Sequence, residues 1–286
     1  MMEGITVFTP TYNREKYLKI LYKSLLKQTF QKFEWLIVDD GSTDVTKITV
    51  EEFQRENKID IKYIYQENSG KHVAFNTGVA NSKYDLFMCI DSDDYLVDDI
   101  LSHIYFEWNK IKDVKENVCG ILANRGKSKN ETMFGEKFIN PYTFSTVREE
   151  MKRSIFETTM IHKTEILKLF PFPKFQGENF ITEDVVWRKI DQDYVYYVIP
   201  EVWTICSYLD NGLTRTTNIF RYPKGEAEYY KVRYISETKI INKLKEYGRY
   251  LVFDKKRLPG RCGTILYLPA ILMSRIYLFV WKKRFK

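Results

Sequence analysis

Cysteines are few in this sequence, no targeting segment is apparent, and its C-terminal end contains no acidic residue. The four cysteines are far apart and include no Cys-x-x-Cys pair: Cys89, Cys119, Cys206 and Cys262. This pattern argues against structural zinc and fits a reducing compartment. An apolar strand-like pattern begins at Ile5 with no signal-like segment before it, so we expect a cytoplasmic protein.

The basic excess of the chain comes from its last residues. The 286 residues include 45 Lys or Arg and 38 Asp or Glu, a formal net charge of +7. Residues 255–286 hold nine of the 45 basic residues and no acid, which leaves 36 basic against all 38 acidic residues in residues 1–254. Because that part is slightly acidic, we do not expect it to bind nucleic acid. The composition, 44% hydrophobic and 29% charged, is that of a globular chain.

Strand and helix patterns alternate through the first hundred residues, which is typical of a mostly parallel sheet covered by helices. The strand-like runs are Ile5–Phe8, Phe33–Val38, Ile59–Gln66 and Leu86–Ile90, and the helical patterns are Glu15–Gln28, Thr46–Glu56 and Lys71–Ala80. Further on, we predict a surface excursion over 124–140, a short helix over 185–190, strands over 194–199 and 202–208, and mostly helix from Tyr222.

The acidic sequence Asp91-Ser92-Asp93-Asp94 follows the apolar strand pattern directly. The strand would deliver Asp91 and Asp93 to the carboxyl edge of the sheet, where open α/β sheets bind ligands. Two carboxylates that close repel each other unless a cation lies between them, and oxygen ligands suit Mg²⁺ or Mn²⁺. The alternative is a helix N-cap before Tyr95, which could explain Asp94 but not all three acids.

Two earlier loops contain residues suited to a nucleotide. Pro10 fixes its backbone, and Tyr12 offers a flat face for a base. After the second strand, Asp39 or Asp40 could accept a hydrogen bond from uracil or ribose, and Gly41 would let a ligand approach. Plain turns and helix capping are the alternatives. The chain has neither G-x-G-x-x-G nor G-x-x-x-x-G-K-[ST], so the dinucleotide and P-loop fingerprints are absent.

Two further motifs point to charged ligands. Lys71 stands at a predicted helix N-terminus, an unfavourable place for a cation unless an anion such as phosphate binds there; the adjacent His72 is more typical of a structural residue. Thr182-Glu183-Asp184 begins a short helix and could supply a carboxylate that deprotonates a hydroxyl. By itself this motif is equally typical of acids at a helix N-terminus.

Taken in order, these motifs resemble the family 2 glycosyltransferases, inverting enzymes of GT-A fold, over about residues 4–210. The resemblance implies a Rossmann-like αβα sandwich with a mostly parallel central sheet and a C-terminal helical tail. We therefore expect a GT-A domain over 1–215, with a nucleotide-binding half (1–100) and an acceptor half (101–215). A helical, basic segment would follow over 216–286.

The resemblance also implies roles for the donor-site residues. Pro10 and Tyr12 would line the uracil site, Asp40 would bind the base, and Lys71 would lie near the diphosphate. Asp91 would contact the ribose or the metal.

The remaining implied roles concern the metal and catalysis. Asp93 would be the main ligand of Mn²⁺ or Mg²⁺, Asp184 the catalytic base, and Glu183 would orient the acceptor or the loop. The Gln-x-x-Arg-Trp motif of processive members is absent, because Trp187-Arg188 has the reverse order and Trp203 lacks the Arg. Addition of a single sugar is therefore expected.

The expected activity is metal-dependent transfer of one sugar from a nucleotide-sugar donor, UDP-linked by preference. The acceptor would be a glycan or lipid-linked glycan of the bacterial cell-surface polysaccharide type. A sugar nucleotidyltransferase is one alternative, although it would need a Gly-rich first loop and residues 9–14 contain no Gly. A non-catalytic, membrane-bound scaffold of the same fold is the other.

The tail has an apolar stretch of eighteen residues, Thr264–Trp281, between basic clusters. Its length is at the lower limit for a membrane span, and Arg275 within it would be costly in hydrocarbon. We expect residues 255–286 to lie on an anionic membrane, at the inner face of the cell membrane. A core or dimer helix and a true span are the alternatives.

Overall fold

The computed structural model describes residues 1–135, 138–151, 157–206 and 218–284, with side chains as far as Trp281. Its contacts divide the chain into two compact units. Unit 1 comprises Met1–Pro171 and Asp193–Tyr208, and unit 2 comprises Phe172–Gln192 and Leu209–Lys286. The expected boundary at residues 215–216 lies outside the described residues. Residues 172–192 group with the C-terminal segment, whereas the sequence had assigned them to the acceptor half.

The first half of unit 1 alternates strands and helices as predicted. Its elements are β1 (Met2–Thr11), α1 (Glu15–Leu25), β2 (Phe33–Asp39), α2 (Thr46–Glu56), β3 (Ile61–Tyr65), α3 (Lys71–Asn81) and β4 (Tyr84–Cys89). The four strands are parallel in the order β3-β2-β1-β4. Val7 on β1 is in register with Trp35 on one side and Met88 on the other. The carboxyl ends of all four strands therefore meet at one edge of the sheet.

The second half of unit 1 extends this sheet with antiparallel pairs. It contains β5 (Tyr95–Leu96), α4 (Ile100–Ile111), β6 (Val118–Ser128), β7 (Glu131–Thr132), β8 (Phe144–Ser145), α5 (Val147–Glu150), β9 (Thr158–Lys163), α6 (Thr164–Leu169) and β10 (Val195–Ile205). β9 runs antiparallel between β4 and β6, and β10 is parallel to β6. β7 pairs with β6, and β5 and β8 pair with β10, all antiparallel. The result is a mixed, mainly parallel α/β sheet.

Strand β2 shows why the sheet forms the core. All seven of its residues are buried, as expected for a parallel strand covered on both faces. Trp35 stacks on Tyr22 and Phe53, with ring centroids 6.0 Å apart in each pair. Its indole Nε1 donates to Thr9 Oγ1 over 3.0 Å, so the polar atom of this buried ring is satisfied.

The predicted surface excursion over 124–140 is wrong at its start. Residues 124–128 belong to β6, and Asn124 is buried. β6 lies between β9 and β10 in the sheet although this part of it is polar, so composition alone could not identify residues 124–128 as strand. Glu136 and Lys137 lie outside the described residues. The two strands predicted over 194–199 and 202–208 form one strand, β10, whose register is irregular between Val198 and Val202; residues 207–208 lie outside the described residues.

Unit 2 is helical in its described residues. It contains α7 (Asp184–Ile190), a 3₁₀ turn (Ile219–Arg221), α8 (Pro223–Ser236), α9 (Ile240–Phe253), α10 (Gly260–Ile265) and α11 (Tyr267–Arg284). Its core is rich in tyrosine, and the hydroxyl of the fully buried Tyr247 accepts a hydrogen bond from the Leu258 backbone. A Cβ on Gly248 would come 2.6 Å from the Met273 Cβ, so this glycine lets α9 and α11 pack closely. Among the described helices, none has the length and apolarity needed to cross a bilayer.

Candidate functional site

The loops after β1 and β2 are joined by direct hydrogen bonds. Asn13 has a positive φ of 53°, and its Oδ1 accepts from the Thr43 backbone N–H at 2.8 Å. The Asn13 N–H donates to Ser42 Oγ at 2.8 Å. Asp39 in turn accepts from the Ser42 N–H at 2.7 Å. The two loops therefore form one fixed surface at the edge of the sheet.

The residues predicted to face a base lie on this surface. Pro10 is buried at the end of β1, in register with Val38. Tyr12 is 48% exposed, and its ring is available for stacking.

Asp40 organises the loop between β3 and α3. Its Oδ1 accepts from Gln66 Nε2 at 2.7 Å and from the Ser69 N–H at 2.8 Å, and its Oδ2 accepts from the Gly70 N–H at 2.8 Å. A carboxylate offers about four acceptor positions, so the described contacts leave room for a further donor at Oδ2. The role of Asp40 toward a base stays a prediction.

Asp91 lies between two cations. Lys71, the first residue of α3, places its Nζ 2.6 Å from Asp91 Oδ1, and Arg125 Nη1 on β6 lies 3.3 Å from Oδ2. Burial by itself would raise the pKa of Asp91, but the two cations hold it well below its usual range. Asp91 is therefore ionised at all working pH values.

The pKa values of the neighbouring acids, Asp93 and Asp94, are raised instead of lowered. Burial, together with the charge of Asp91, raises the pKa of Asp93. Burial raises the pKa of Asp94 to about 7 even though Arg125 Nη1 lies 3.3 Å from its Oδ2. The Cys206 thiol also donates to Asp94, over 3.4 Å. Asp94 caps no helix, because β5 begins at the next residue.

Sequence reasoning missed Arg125. It stands on a stretch that was interpreted as a surface excursion, and it is the largely buried counter-ion of Asp91 and Asp94. A single Arg in a polar stretch gives no signal that it is buried; only the pairing of β6 with its neighbours shows this.

These acids suit a metal that is shared with a ligand. In the described parts of the chain, no three His, Cys, Asp or Glu side chains form a ready-made metal cage. Mg²⁺ and similar ions are, however, commonly held by one or two carboxylates together with substrate phosphates and waters. The raised pKa of Asp93 means that a nearby cation would stabilise its charged form. Asp91 and Asp93 therefore fit such an ion.

Asp184 lies in unit 2, as the first residue of α7. Its Oδ2 lies 2.6 Å from Arg188 Nε, one helical turn further on, and both side chains are largely buried. Arg188 Nη1 donates to Ser236 Oγ at 3.4 Å on α8. Burial raises the pKa of the Tyr229 hydroxyl, the Arg233 charge opposes the rise, and the Asp184 charge adds to it. Glu183 precedes the helix and is half-buried.

The family model described as "Glycosyl transferase family 2" matches residues 6–175, which contain most of β1, all of β2 to β4 and the acidic cluster. The chain belongs to this family. Glycosyltransferase GlyA of Streptococcus pneumoniae is 33% identical over 180 residues, 62% of this chain and 24% of GlyA. A Methanococcus voltae enzyme, named as a dolichyl N-acetyl-glucosaminyl phosphate diacetamidodideoxyglucuronosyltransferase, is 30% identical over 70% of this chain and 66% of its own length. The chain thus spans only about a quarter of GlyA.

Solved structures support the fold. The crystal structure of S. aureus TarS 1–349 in complex with UDP-GlcNAc superposes with a TM-score of 0.63 at 18% identity, covering 93% of this chain and 79% of TarS 1–349. A mannosyltransferase from Pyrobaculum calidifontis in complex with GDP-Man and Mn²⁺ gives a TM-score of 0.60 at 17% identity, covering 96% and 74%. The fold of the family, GT-A-like with C-terminal helices, is thereby confirmed.

Proposed function

We propose that this chain is an inverting glycosyltransferase that moves one sugar from a UDP-linked donor to a glycan or lipid-linked glycan acceptor. The observation that carries the proposal is the group formed by Lys71, Asp91 and Asp93 at the carboxyl edge of the sheet, within the residues that match the family. The UDP-GlcNAc complex of TarS, which has the same fold, supports a UDP-linked donor.

In this proposal the donor is bound by unit 1. Tyr12 stacks on uracil beside Pro10, and the remaining acceptor position on Asp40 takes the N3–H of the base. Lys71 meets the diphosphate at the N-terminus of α3, where a helix favours an anion. Asp91 contacts the ribose or the metal.

Asp93 and Asp91 would hold Mn²⁺ or Mg²⁺. The mannosyltransferase of the same fold has Mn²⁺ in its complex, which supports a divalent ion here. When bound, such an ion offsets the negative charge that develops on the departing diphosphate. Lys71 contributes positive charge to the same end, and Arg125 keeps Asp91 ionised.

Asp184 is proposed as the general base. It would take the proton of the acceptor hydroxyl as that oxygen attacks the anomeric carbon, and Glu183 would orient the acceptor. The bond to the diphosphate breaks in the same displacement, so the configuration inverts. Because the Gln-x-x-Arg-Trp motif is absent, one sugar is added per acceptor.

We also propose that residues 255–286 contact an anionic membrane from its inner face. The nine basic residues and the absence of acids in this segment support this contact.

The test is release of nucleoside diphosphate from UDP-, GDP- and dTDP-sugars with and without Mn²⁺. We expect slow, metal-dependent hydrolysis of a UDP-sugar by the wild type. Asp93→Asn should lose most of this hydrolysis and the metal-dependent part of UDP binding. Asp98→Asn is the matched control, because this exposed acid lies outside the cluster. Release of pyrophosphate from UTP and a sugar phosphate would instead identify a nucleotidyltransferase. If no nucleoside diphosphate is released from any donor and UDP does not bind, the chain is a non-catalytic scaffold.

A further inference from the structure

Five large apolar side chains are exposed along α10 and α11. Their exposed fractions run from 51% to 75%: Ile265, Leu268, Leu272, Ile276 and Phe279. Spacings of three and four residues place the four on α11 on one side of that helix, and Ile265 is the last residue of α10. We call these five residues the apolar stripe. We propose that the apolar stripe inserts into the interfacial layer of a membrane that contains anionic lipids, an inference that rests on and sharpens the membrane contact proposed above.

The opposite side of the same helices forms part of the core of unit 2. Ala270 is fully buried, and Trp281 stacks on Tyr230 of α8 with ring centroids 5.9 Å apart. Met273 lies against Gly248 of α9. Helix α11 is therefore fixed through its other side, and the apolar stripe is left outward. Exposed apolar residues in one contiguous line usually mark an interaction surface.

The basic residues around the apolar stripe indicate that its partner is negatively charged. Four exposed basic residues precede it: Lys255, Lys256, Arg257 and Arg261. Arg275 is exposed at its edge, and four more basic residues follow in the sequence after Trp281. Anionic headgroups attract such a set, and the long stem of Arg275 can reach the headgroup level.

A second copy of the chain fits this surface less well. A two-fold dimer formed on the apolar stripe would bring two identical basic surfaces together, with no acid in residues 255–286 of either copy to pair with them. Like charges would oppose this association.

The packing also determines how the helix would lie. Only one side of α11 is exposed apolar surface, while the other side is held by α8 and α9. Because protein covers that other side, lipid cannot surround the helix, and α11 would lie along the interface with its exposed apolar side in the membrane.

The experiment is vesicle sedimentation with the full chain. The vesicles are an equimolar mixture of phosphatidylcholine and phosphatidylglycerol, and phosphatidylcholine alone serves for comparison. The stripe variant is Ile276→Gln with Phe279→Gln. The control is Ile20→Gln with Phe106→Gln, the same two residue types at 52% and 58% exposure on α1 and α4 of unit 1.

We expect the partition coefficient of the stripe variant between vesicles and buffer to fall about tenfold or more, because two apolar side chains that the membrane would bury are lost. The control variant should bind like the wild type, and vesicles without the anionic lipid should bind both weakly.

Two results would overturn the proposal. One is equal vesicle binding by the wild type and the stripe variant. The other is a wild-type dimer in lipid-free buffer that becomes monomeric in the stripe variant, which would make the stripe an interface between copies. Hydrolysis of the soluble UDP-sugar is measured on the same proteins. If the wild type does not hydrolyse any UDP-sugar, the transferase proposal is contradicted. The vesicle result would still decide whether the apolar stripe binds the membrane.

Discussion

A general base must be oriented and yet free to accept a proton, and Asp184 has one oxygen committed to Arg188 at 2.6 Å. Such a pair fixes the carboxylate through Oδ2, and in the proposed mechanism the other oxygen takes the proton of the acceptor hydroxyl. We predict that Asp184→Asn lowers the rate of sugar transfer by about 10²- to 10⁴-fold, which is the rate enhancement that a general base usually provides. UDP affinity, measured by calorimetry, should be unchanged, because the donor residues lie in unit 1.

Arg188→Gln is the control for this prediction. It removes the same ion pair but keeps the carboxylate. If Asp184 acts as the base, the Arg188 variant loses much less activity than the Asp184 variant. Equal losses in the two variants would mean that the ion pair matters for structure and that another group takes the proton.

Arg125 provides a second test at this scale. It is the largely buried counter-ion of Asp91 and Asp94, and removing one partner of a buried ion pair typically costs about 3–5 kcal/mol. Arg125→Met should lower the free energy of unfolding in urea by an amount of this order. Lys127→Met on the same strand is the control, since its exposed pair with Glu131 is worth at most about 1 kcal/mol. Similar effects of both changes would contradict the counter-ion role.

The acids of the site could be predicted from sequence, but their partners could not. Asp91 and Asp93 follow an apolar strand, and this local pattern indicates their position at the sheet edge. Lys71 was similarly indicated by its place at a helix start. Arg125 is more than thirty residues from Asp91 along the chain and meets it only because β9 lies between β4 and β6. Long-range pairing of this kind leaves no local signal.

At the scale of elements, strand β9 carries a buried histidine, His162. His162 is buried between Phe87 and Gly120 of the neighbouring strands and packs edge-on against Tyr196. Burial lowers the pKa of His162 to about 3, so the ring is neutral in the folded chain. The unfolded chain binds the proton near pH 6.5. The stability due to the neutral ring is therefore complete above that pH and is lost as the pH falls toward 3.

We predict that His162→Phe weakens this acid sensitivity. Linkage gives about 1.4 kcal/mol per pH unit for one such group, so between pH 6.5 and 4.5 the wild type should lose about 2–3 kcal/mol more than the variant. The measurement is urea unfolding at both pH values, with pH 7.5 as the reference for any change in packing. Parallel pH dependences would show that this ring is not responsible.

Element prediction succeeded where the pattern is local. β2 reads as an apolar run and α2 as a helix that follows a turn, and both were predicted within a residue of their ends. The tail was also recognised as helical. β6 was not predicted, and its end was interpreted as a surface excursion, because a strand in the middle of a mixed sheet can carry polar residues when its neighbours satisfy them. The single strand β10 was predicted as two, ending at 199 and beginning at 202, and this is where its register to β6 is irregular.

At the scale of the whole molecule, each unit has its own apolar core, one within the mixed sheet and one formed by tyrosine-rich helices. The charge is divided as well, since the basic excess belongs entirely to residues 255–286. This division suits a chain that binds a nucleotide with one unit and a surface with the other. It also makes the proposed donor site testable without any knowledge of the acceptor.

Hydrogen exchange of the full chain with UDP and Mn²⁺ is that test. A ligand stabilises the structure that it binds, so amide exchange should slow in the loops 9–14, 39–44, 66–71 and 91–94. The amides of α9 and α11 should exchange at their unliganded rates, because their protection depends on the separate core of unit 2. Asp93→Asn, treated in the same way, should lose the metal-dependent part of the slowing. Protection of α9 and α11 equal to that of the loops would contradict a donor site built by unit 1 alone, and unchanged loops at saturating UDP would remove the donor site from this edge of the sheet.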